Sequence, residues 1–398
     1  MKFIKNNIKH TIIENLLSKK LNWIPVGCLT IVLPNNKKFV FGNTNTGINT
    51  SIKLHNYKLL RSFLFKGPLS FADCYISNDL ECDDLTNLFK FYIHNKNQFQ
   101  NTFTKYFKIF NYDYLRKSLN KNTINRSKKN ISLHYDLGND FFQLWLDETM
   151  QYSSAHFKNG EKNLKEAQYN KFENINDLLA LSKNTNILEI GCGWGSLSQY
   201  LFNRNEINIK AITISKKQFE YAKKLTLKSE SNTCSFELID YRHTTRLYDR
   251  IVSIEMIEAV GIKYLPIFFK TIKNRLKPNG HAIIQAITIG EESYSDYTHN
   301  VDFIQKYIFP GGALPSVNQL QAETIKTGLK IESIEQLNDS YVKTLQEWKY
   351  KFNNNWLSIK KIGYDEKFKR TWNYYLSYCE AGFAEKTINV DLYKIKPI

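Results

Sequence analysis

Short apolar runs alternate with amphipathic stretches through the second half of the chain. Four runs have the length and composition of buried strands: residues 186–190, 209–214, 250–254 and 281–287. Segments with helical spacing separate them, including Leu265 to Leu276, which ends before a Pro-Asn-Gly turn. Strands that alternate with helices predict a parallel, doubly wound α/β sheet.

The first third of the chain has a different pattern. Apolar runs on either side of Pro34-Asn-Asn36 predict a β-hairpin over residues 28–42, and a helical pattern extends from Asp84 to His94. Around residues 115–130 the chain becomes polar and basic with little periodicity. We therefore predict a smaller N-terminal α+β domain over residues 1–118 and a larger α/β domain over residues 119–398.

At the N-terminus, Ile4, Ile8, Ile12 and Leu16 recur at helical spacing among lysines. This pattern predicts a basic amphipathic helix, which either lies on a membrane surface or packs on its own domain. The first 20 residues lack the continuous apolar stretch of a secretory signal, and no run is long enough to span a bilayer.

Composition narrows the class of protein. Of the 398 residues, 42% are hydrophobic and 23% are charged, which is typical of a folded globular chain and excludes a disordered one. The net charge of +17 favours an anionic partner, either nucleic acid or a phospholipid surface. Six scattered cysteines without a C-x-x-C pair indicate neither a disulfide framework nor a metal site, and they fit a reducing cytoplasm.

A glycine loop follows the first predicted strand of the large domain. Glu189 precedes Gly191, Gly193 and Gly195, and alternate glycines let the chain turn tightly and let a ligand approach the backbone. The spacing is G-x-G-x-G rather than the G-x-G-x-x-G of NAD-binding folds. An acidic residue two positions before the first glycine suits a ligand with an ammonium group, and the loop therefore predicts a site for S-adenosylmethionine (SAM).

The next strand lacks the acidic residue that usually binds ribose hydroxyls at this position. The sequence there is Thr213-Ile-Ser215-Lys-Lys-Gln218. Ser215 is a good N-cap for the following helix, and Thr213 and Gln218 offer neutral hydrogen bonds to the cofactor instead.

Several further motifs, spread over nearly the whole chain, resemble one family. They are His134-Tyr-Asp-Leu-Gly-Asn139, Met150-Gln-Tyr-Ser-Ser-Ala155, Asp240-Tyr-Arg242, Glu255-Met-Ile-Glu-Ala-Val-Gly261, Phe303-Ile-Gln-Lys-Tyr-Ile-Phe-Pro-Gly-Gly312, Tyr341…Thr344-Leu-Gln-Glu-Trp348 and Tyr378-Cys-Glu-Ala-Gly-Phe383. Together with the glycine loop they resemble the cyclopropane-fatty-acyl-phospholipid synthases and the related mycolic acid methyltransferases. The N-terminal part resembles the lipid-associated accessory domain of the phospholipid enzymes.

The resemblance implies a Rossmann-like class I SAM-methyltransferase sheet with a helical lid. It implies that Tyr152 and Ser153 contact SAM from that lid and that the glycine loop holds the methionine end. Thr213 to Gln218 would lie on the ribose side, and Tyr241 and Arg242 at the adenine.

The family reaction, taken from the resemblance, adds the methyl carbon of SAM to a cis double bond of an acyl chain in membrane phospholipid. A carbocation-like intermediate then loses a proton to bound bicarbonate, and a cyclopropane ring closes. The resemblance implies that Glu258 helps to hold the bicarbonate, with Tyr341 beside it.

Two positions depart from the family pattern. Ser154 stands where the best-known members have Cys, and Gln285 stands where they have His, with Ile287 two residues further on. Both replacements can hydrogen-bond an anion, but Gln cannot titrate as His does. Either bicarbonate stays, held differently, or another base acts, and the product stays open between a cyclopropane and a methylated, unsaturated chain. Cys379 occupies a family site position, although a structural role is favoured for it.

Three readings of the function stay open at this point. The leading one is a cyclopropane synthase that docks on anionic phospholipid through residues 116–129 and the N-terminal helix, on the inner face of the cytoplasmic membrane. Methylation of the acyl chain without ring closure is an alternative, as is an N- or O-methyltransferase of a soluble small molecule. A nucleic-acid enzyme is disfavoured because no base-methylation motif or RNA-binding module is present. The family resemblance also allows a homodimer.

Overall fold

The computed structural model describes residues 24–99, 137–158, 160–161 and 163–398. These residues form two compact units. Unit 1 contains the N-terminal segment up to Tyr112 together with Tyr364–Glu385, and unit 2 contains Asp113–Gly363 together with Lys386–Ile398. The predicted N-terminal helix, the basic segment 116–129 and the predicted domain boundary near residue 118 all lie outside the described residues.

Unit 1 is an α+β unit built on a four-stranded sheet. Its strands are β1 (Cys28–Val32), β2 (Lys38–Gly42), β3 (Asn49–Leu54) and β4 (Leu80–Cys82), in the order β2-β1-β3-β4. Its helices are α1 (Lys58–Lys66), α2 (Leu69–Ile76), α3 (Leu85–His94) and, from the C-terminal segment, α13 (Glu366–Ala384). β1 and β2 pair antiparallel, with Cys28 opposite Gly42 and Val32 opposite Lys38, which confirms the predicted hairpin.

The predicted helix Asp84–His94 is also confirmed, and Asp84 itself is its N-cap. The Asp84 carboxylate accepts a hydrogen bond from the Asn87 backbone N–H at 3.0 Å, which satisfies one of the free donors of the first turn. Helix α13 packs against α2 and α3. The sequence prediction divided the chain at one point and did not anticipate that this late segment groups with the N-terminal residues.

Unit 2 contains an eight-stranded sheet with helices. Its strands are β5 (Asn186–Ile190), β6 (Asn208–Thr213), β7 (Leu227–Lys228), β8 (Thr233–Leu238), β9 (Tyr248–Ile254), β10 (Leu276–Ile289), β11 (Leu329–Gln336) and β12 (Ile388–Pro397). Its helices are α4 (Asn139–Gln143), α5 (Leu164–Leu179), α6 (Ser196–Arg204), α7 (Lys216–Ala222), α8 (Leu265–Arg275), α9 (Glu291–His299), α10 (Val317–Lys326), α11 (Asn338–Asn354) and α12 (Trp356–Lys361).

The strand order is β11-β12-β10-β9-β5-β6-β8-β7. The central strands β10, β9, β5, β6 and β8 run parallel, whereas β12 and β7 pair antiparallel with their neighbours near the two edges. All four strands predicted from the apolar runs are present. The structure therefore confirms an α/β, Rossmann-like sheet, and its antiparallel edge strands make it mixed.

Residues of the parallel strands point alternately to the two faces of this sheet. Leu188, Ile251 and Ile284 belong to a buried apolar cluster with Phe268 and Phe269 of helix α8. The intervening residues face the other side, where α5 and α6 pack. Because both faces are covered, the strands contain short apolar runs, which is why four of their positions are readable from the sequence.

The segment from Met150 to Lys158 corrects one expectation. Tyr152 and Ser153 were expected on a helical lid, but they lie on an irregular segment, neither helix nor strand, that follows α4. Met150 has a φ of 54°, which interrupts any helix there. Side chains satisfy the backbone donors of the segment instead: Thr344 Oγ1 accepts from Ala155 N at 3.1 Å, and Ser340 Oγ accepts from Phe157 N at 3.0 Å.

Among the described helices, none has the length and apolar character needed to cross a membrane.

The buried side chain of Asn95 connects helix α3 to the segment that leads into β1. Its carboxamide accepts from Val26 N at 3.3 Å and donates to Val26 O at 2.8 Å and to Phe91 O at 2.9 Å. We expect Asn95→Ala to lower the free energy of unfolding of unit 1 by about 2 to 3 kcal/mol, because buried backbone groups lose their partners. Asn35→Ala, in an exposed turn, is the control, with an expected loss of less than about 0.5 kcal/mol. Urea denaturation of both variants measures the difference, and equal losses would contradict the assignment.

Candidate active site

The glycine loop forms the floor of an open cleft at the carboxyl edge of the parallel strands. Gly191 and Gly193 follow β5 with φ values of 80° and 54°, in the left-handed region that favours glycine. The cleft has a volume of about 1050 Å³ including its mouth. It lies where open α/β sheets place their ligands, beyond the carboxyl ends of the strands.

Most of the residues predicted to bind the cofactor line this cleft. They are Tyr152, Ser153, Glu189, Gly191, Gly193, Thr213, Gln218, Tyr241 and Arg242. The remaining two, Gly195 and Ser215, have structural roles. Gly195 precedes helix α6, and a Cβ there would lie 2.7 Å from the ring of Phe236. Ser215 caps helix α7 by accepting from Gln218 N at 3.4 Å.

Glu189 is a buried carboxylate at the end of β5. It accepts a hydrogen bond from the hydroxyl of Ser198 on helix α6, and burial raises its pKa to about 7. A carboxylate in that state gains from a cationic group nearby, since an opposite charge offsets the cost of burying it. The ammonium group of SAM has the required charge.

Neutral side chains line the next part of the cleft, beyond the end of β6. The hydroxyl of Thr213 donates to Gln218 Oε1 at 3.0 Å and accepts from the backbone N–H of Ser215 at 3.1 Å. Both Thr213 and Gln218 are buried and border the cleft. The structure thus places at this position the two neutral side chains expected to replace a ribose-binding carboxylate.

A buried ion pair forms the wall beyond β8. Arg242 donates to both carboxylate oxygens of Asp240, Nε to Oδ1 at 2.8 Å and Nη2 to Oδ2 at 2.6 Å. Burial opposes ionisation of Asp240, but the hydrogen bonds from Arg242 outweigh it and lower the pKa of this carboxyl. Asp240 also lines the cleft, and the sequence analysis quoted it only as part of a motif.

Aromatic rings surround Tyr152, which lines the cleft. Its ring centroid lies 5.4 Å from that of Phe142, 5.5 Å from Trp145, 5.3 Å from Trp348 and 6.4 Å from Phe309. These rings come from separate parts of unit 2. Of these rings, that of Tyr152 lines the cleft, and the other four pack around it. An aromatic face at the cleft can stabilise a cation and help to exclude water.

Ser153, next to Tyr152, is held by helix α5. The ammonium group of Lys171 donates to Ser153 Oγ at 2.7 Å, and Gln168 Nε2 donates to the Ser153 carbonyl at 3.1 Å. Lys171 is almost fully buried, which lowers its pKa to about 8, although Glu255 opposes this shift. The sequence analysis did not single out Lys171, because a lysine within an amphipathic helix resembles a surface residue.

Glu255 is the centre of a hydrogen-bond network below the cleft. Its Oε1 accepts from Ser154 N at 2.8 Å and from Gln285 Nε2 at 2.6 Å, and its Oε2 accepts from the Tyr341 hydroxyl at 2.7 Å. Burial raises its pKa, against those hydrogen bonds and the charge of Lys171. Glu255 also lines the cleft and has a φ of 47°, a strained conformation for a glutamate.

Three of the residues predicted to be catalytic therefore meet at a carboxylate that the prediction did not select. The sequence analysis placed Tyr341 with Glu258, whereas its hydroxyl donates to Glu255. The available signal was position: Glu255 directly follows β9 at the carboxyl edge of the sheet, where sites are found.

Glu258 lies one turn further along the chain. Its Oε1 accepts from the backbone N–H of Ile287 at 2.5 Å, so Ile287 contributes its main chain rather than its side chain. The other oxygen, Oε2, is buried without a hydrogen-bond partner in the described residues. Burial, and then the charge of Glu255, raise the pKa of Glu258 to about 8.

Cys379 lies on helix α13 of unit 1 and does not line the cleft, whose lining residues all belong to unit 2.

The cleft fits SAM by two observations. A Cβ at Gly193 would meet no atom within 4 Å, so the backbone there borders open space that a ligand can approach. The acidic side chains Glu189 and Asp240 both line the cleft, and the buried Glu189 carboxylate is a partner for the ammonium group of SAM. A Rossmann-like sheet with such a cleft is the fold of a class I SAM-dependent methyltransferase.

Comparisons with known proteins identify the family. Residues 122–393 match the family described as mycolic acid cyclopropane synthetase. The chain is 36% identical over 274 residues to the tuberculostearic acid methyltransferase UfaA1 of Mycobacterium tuberculosis, covering 67% of this chain and 64% of that protein. It is 34% identical over 351 residues to the cyclopropane-fatty-acyl-phospholipid synthase of Escherichia coli K12, covering 87% of each.

Among solved structures, the mycolic acid cyclopropane synthase CmaA1 complexed with SAH and CTAB matches with a TM-score of 0.63 and 28% identity. That match covers 67% of this chain and 97% of CmaA1. The chain belongs to the mycolic acid cyclopropane synthetase family and is a SAM-dependent methyltransferase.

Two glycines of the loop separate ligand binding from packing. We expect Gly193→Ala to weaken SAM binding at least tenfold, because the new methyl group points into the space a ligand would use. Gly195→Ala is the counterpart: it should cost about 1 to 3 kcal/mol of stability, because its Cβ would overlap Phe236. Calorimetric SAM titration and thermal unfolding of each variant make the comparison. Loss of stability without loss of binding at Gly193 would contradict the ligand role.

Glu258 should make stability depend on pH. Its pKa in the folded protein, about 8, is above the ordinary value of 4.5, so the folded state keeps a proton that the unfolded chain loses between those values. Its contribution is therefore complete below about pH 4.5 and is lost as the pH rises through about 8. Glu258→Gln, which stays neutral, should have a smaller fall in melting temperature over that range. Identical pH profiles for the two proteins would rule out a raised pKa.

Proposed function

We propose that this enzyme transfers the methyl carbon of SAM to the cis double bond of unsaturated acyl chains in membrane phospholipids and closes a cyclopropane ring. The observation that carries the proposal is the pairing of two features beside the SAM cleft. One is the aromatic ring of Tyr152, which lines the cleft and is backed by further rings, and the other is the pair of buried carboxyl groups of Glu255 and Glu258. The similarity to the Escherichia coli synthase over 87% of each chain supports the same substrate class.

The chemistry accounts for these features. SAM supplies a methyl group activated by a sulfonium. The π electrons of the alkene form a bond to that methyl carbon, the sulfur keeps the pair of the broken bond, and a positive charge develops on the neighbouring chain carbon. An alkene is a weak nucleophile, so the site must act mainly by proximity and exclusion of water. The aromatic faces and the nearby carboxylate stabilise the developing charge.

Ring closure also needs a proton acceptor. A base takes a proton from the transferred methyl group, and the released C–H electron pair forms the third bond of the ring. The family resemblance implies bicarbonate in this role, with Glu258 helping to hold it and Tyr341 beside it, while Ser154 and Gln285 stand at the two departures from the family pattern. In this structure Ser154, Gln285 and Tyr341 all donate to the carboxylate of Glu255. The product therefore depends on which group accepts the proton.

Methylation without ring closure is the second candidate. Two observations favour it. Gln285 cannot titrate, and this chain is similar to a tuberculostearic acid methyltransferase, whose name describes methyl transfer. If the cation loses a proton so that a new double bond forms, the product is a methyl-branched or methylene chain that stays unsaturated.

Access to phospholipid requires docking at the membrane surface. A net charge of +17 favours reversible binding to anionic headgroups, at about 1 kcal/mol for each Lys or Arg close to the surface. We propose a peripheral enzyme on the inner face of the cytoplasmic membrane. A homodimer stays a prediction.

Incubation of the purified protein with SAM and vesicles of unsaturated phospholipid tests the proposal. We expect fatty acids that gain one carbon and lose the double bond, measured by mass spectrometry, with more product from anionic than from zwitterionic vesicles. SAM with a deuterated methyl group identifies the proton that leaves, because ring closure removes one deuterium from that methyl group.

Samples without SAM, and samples of Gly193→Ala, are the controls. A gain of one carbon with the double bond retained would favour the methyltransferase alternative. No gain in a protein that binds SAM would refute an acyl-chain substrate.

A further inference from the structure

The Glu255 carboxylate accepts the hydrogen bonds of groups that an external anion would otherwise need. A bound bicarbonate would need hydrogen-bond donors. The candidates are the side chains of Tyr341 and Gln285 and the chain at Ser154. Each of these groups donates instead to Glu255, at distances of 2.6 to 2.8 Å. The Ser154 hydroxyl donates to the carbonyl of Ala155 at 2.9 Å.

The charges around Glu255 also oppose a second anion. Glu258 faces the same region, and the charge of Glu255 already contributes to its raised pKa. Another bicarbonate beside these two carboxyl groups would add a like charge in a buried site, which is unfavourable. Lys171 is the buried cation that acts on Glu255, so one carboxylate is compensated.

The backbone at Glu255 is consistent with a functional position. A φ of 47° costs free energy for a residue with a long side chain, and such strain persists where the surrounding structure fixes it. Here the conformation follows the end of β9, and the side chain both borders the cleft and meets its three donors. The chain therefore holds a carboxylate where the SAM cleft meets the network.

We propose that Glu255 is the proton acceptor of the reaction and that it replaces bicarbonate in this enzyme. The proposal rests on the proposed function, since it assigns a residue to the deprotonation step of that reaction. After the methyl carbon has bonded to the chain, Glu255 takes a proton from the methyl group. The C–H pair closes the ring, the cation is neutralised, and Glu255 leaves the step as a neutral carboxylic acid. Tyr341 and Gln285 are positioning residues, because they act by holding this carboxylate.

Bicarbonate dependence is the discriminating measurement. In buffer freed of carbon dioxide, wild-type methyl incorporation from labelled SAM into phospholipid should be unchanged by added bicarbonate. Glu255→Gln should lose on the order of 100-fold in turnover, the scale of a missing general base, while it still binds SAM. Glu255→Gly removes the carboxylate at a φ that glycine tolerates and frees the three donors. Added bicarbonate or formate should therefore raise the turnover of Glu255→Gly at least tenfold.

Glu206→Gln is the matched control, since Glu206 is exposed in an ion pair with Lys183, and its activity should equal that of the wild type. Wild-type activity that requires bicarbonate, or an active Glu255→Gln, would overturn the proposal. A merely structural role for Glu255 would give a Glu255→Gly enzyme that no small anion rescues.

Direct binding of labelled bicarbonate separates this inference from the proposed function. We expect saturable binding to Glu255→Gly loaded with S-adenosylhomocysteine and none to the wild type. If the wild type methylates no acyl chain, the proposed function fails, and this binding result still decides whether the Glu255 carboxylate fills the position of an external anion. Bicarbonate binding to the wild type would refute the replacement of bicarbonate by Glu255. Binding only to Glu255→Gly would support it, because the Glu255 carboxylate then fills the anion position in the wild type.

Discussion

The hydrogen bonds that converge on the carboxylate of Glu255 constrain the geometry of unit 2 around the cleft. They connect the irregular segment at Ser154, strand β10 at Gln285 and helix α11 at Tyr341, which are far apart in the sequence. The buried carboxylate has a strong requirement for donors, because an unsatisfied charge in the interior is costly. These hydrogen bonds therefore hold the irregular segment at the edge of the sheet. Tyr152 and Ser153 belong to this segment and line the cleft.

The second constraint is the balance of charge around this network. Glu189, Glu255 and Glu258 all have pKa values raised by burial, and Lys171 is the buried cation that opposes the shift at Glu189 and Glu255. Interacting groups of this kind share protons, so the protonation state belongs to the set rather than to any single residue. A binding site for a cationic cosubstrate gains from this arrangement, since a sulfonium and an ammonium group add positive charge to a site rich in carboxyl groups.

The two units have different relations to the sequence. Unit 1 contains a hairpin and a capped helix that local patterns predict, and it also contains helix α13 from the other end of the chain. Cys379 belongs to that helix, so a motif that resembles a catalytic segment lies in a unit without the cleft. Local sequence does not reveal such grouping, because contacts between segments almost 300 residues apart depend on the packing of the whole chain.

By itself the sequence determined the alternation of β5, β6, β9 and β10 with helices, the glycine loop and the neutral pair Thr213 and Gln218. These features follow from local rules: buried parallel strands contain short apolar runs, and a tight turn beside a ligand requires glycine. Tertiary structure alone decided that Tyr341 donates to Glu255 rather than Glu258, that Lys171 is buried, and that Tyr152 lies on an irregular segment. Each of these depends on donors and acceptors brought together from distant segments. A carboxylate in a motif acquires its role only when the fold determines which groups surround it.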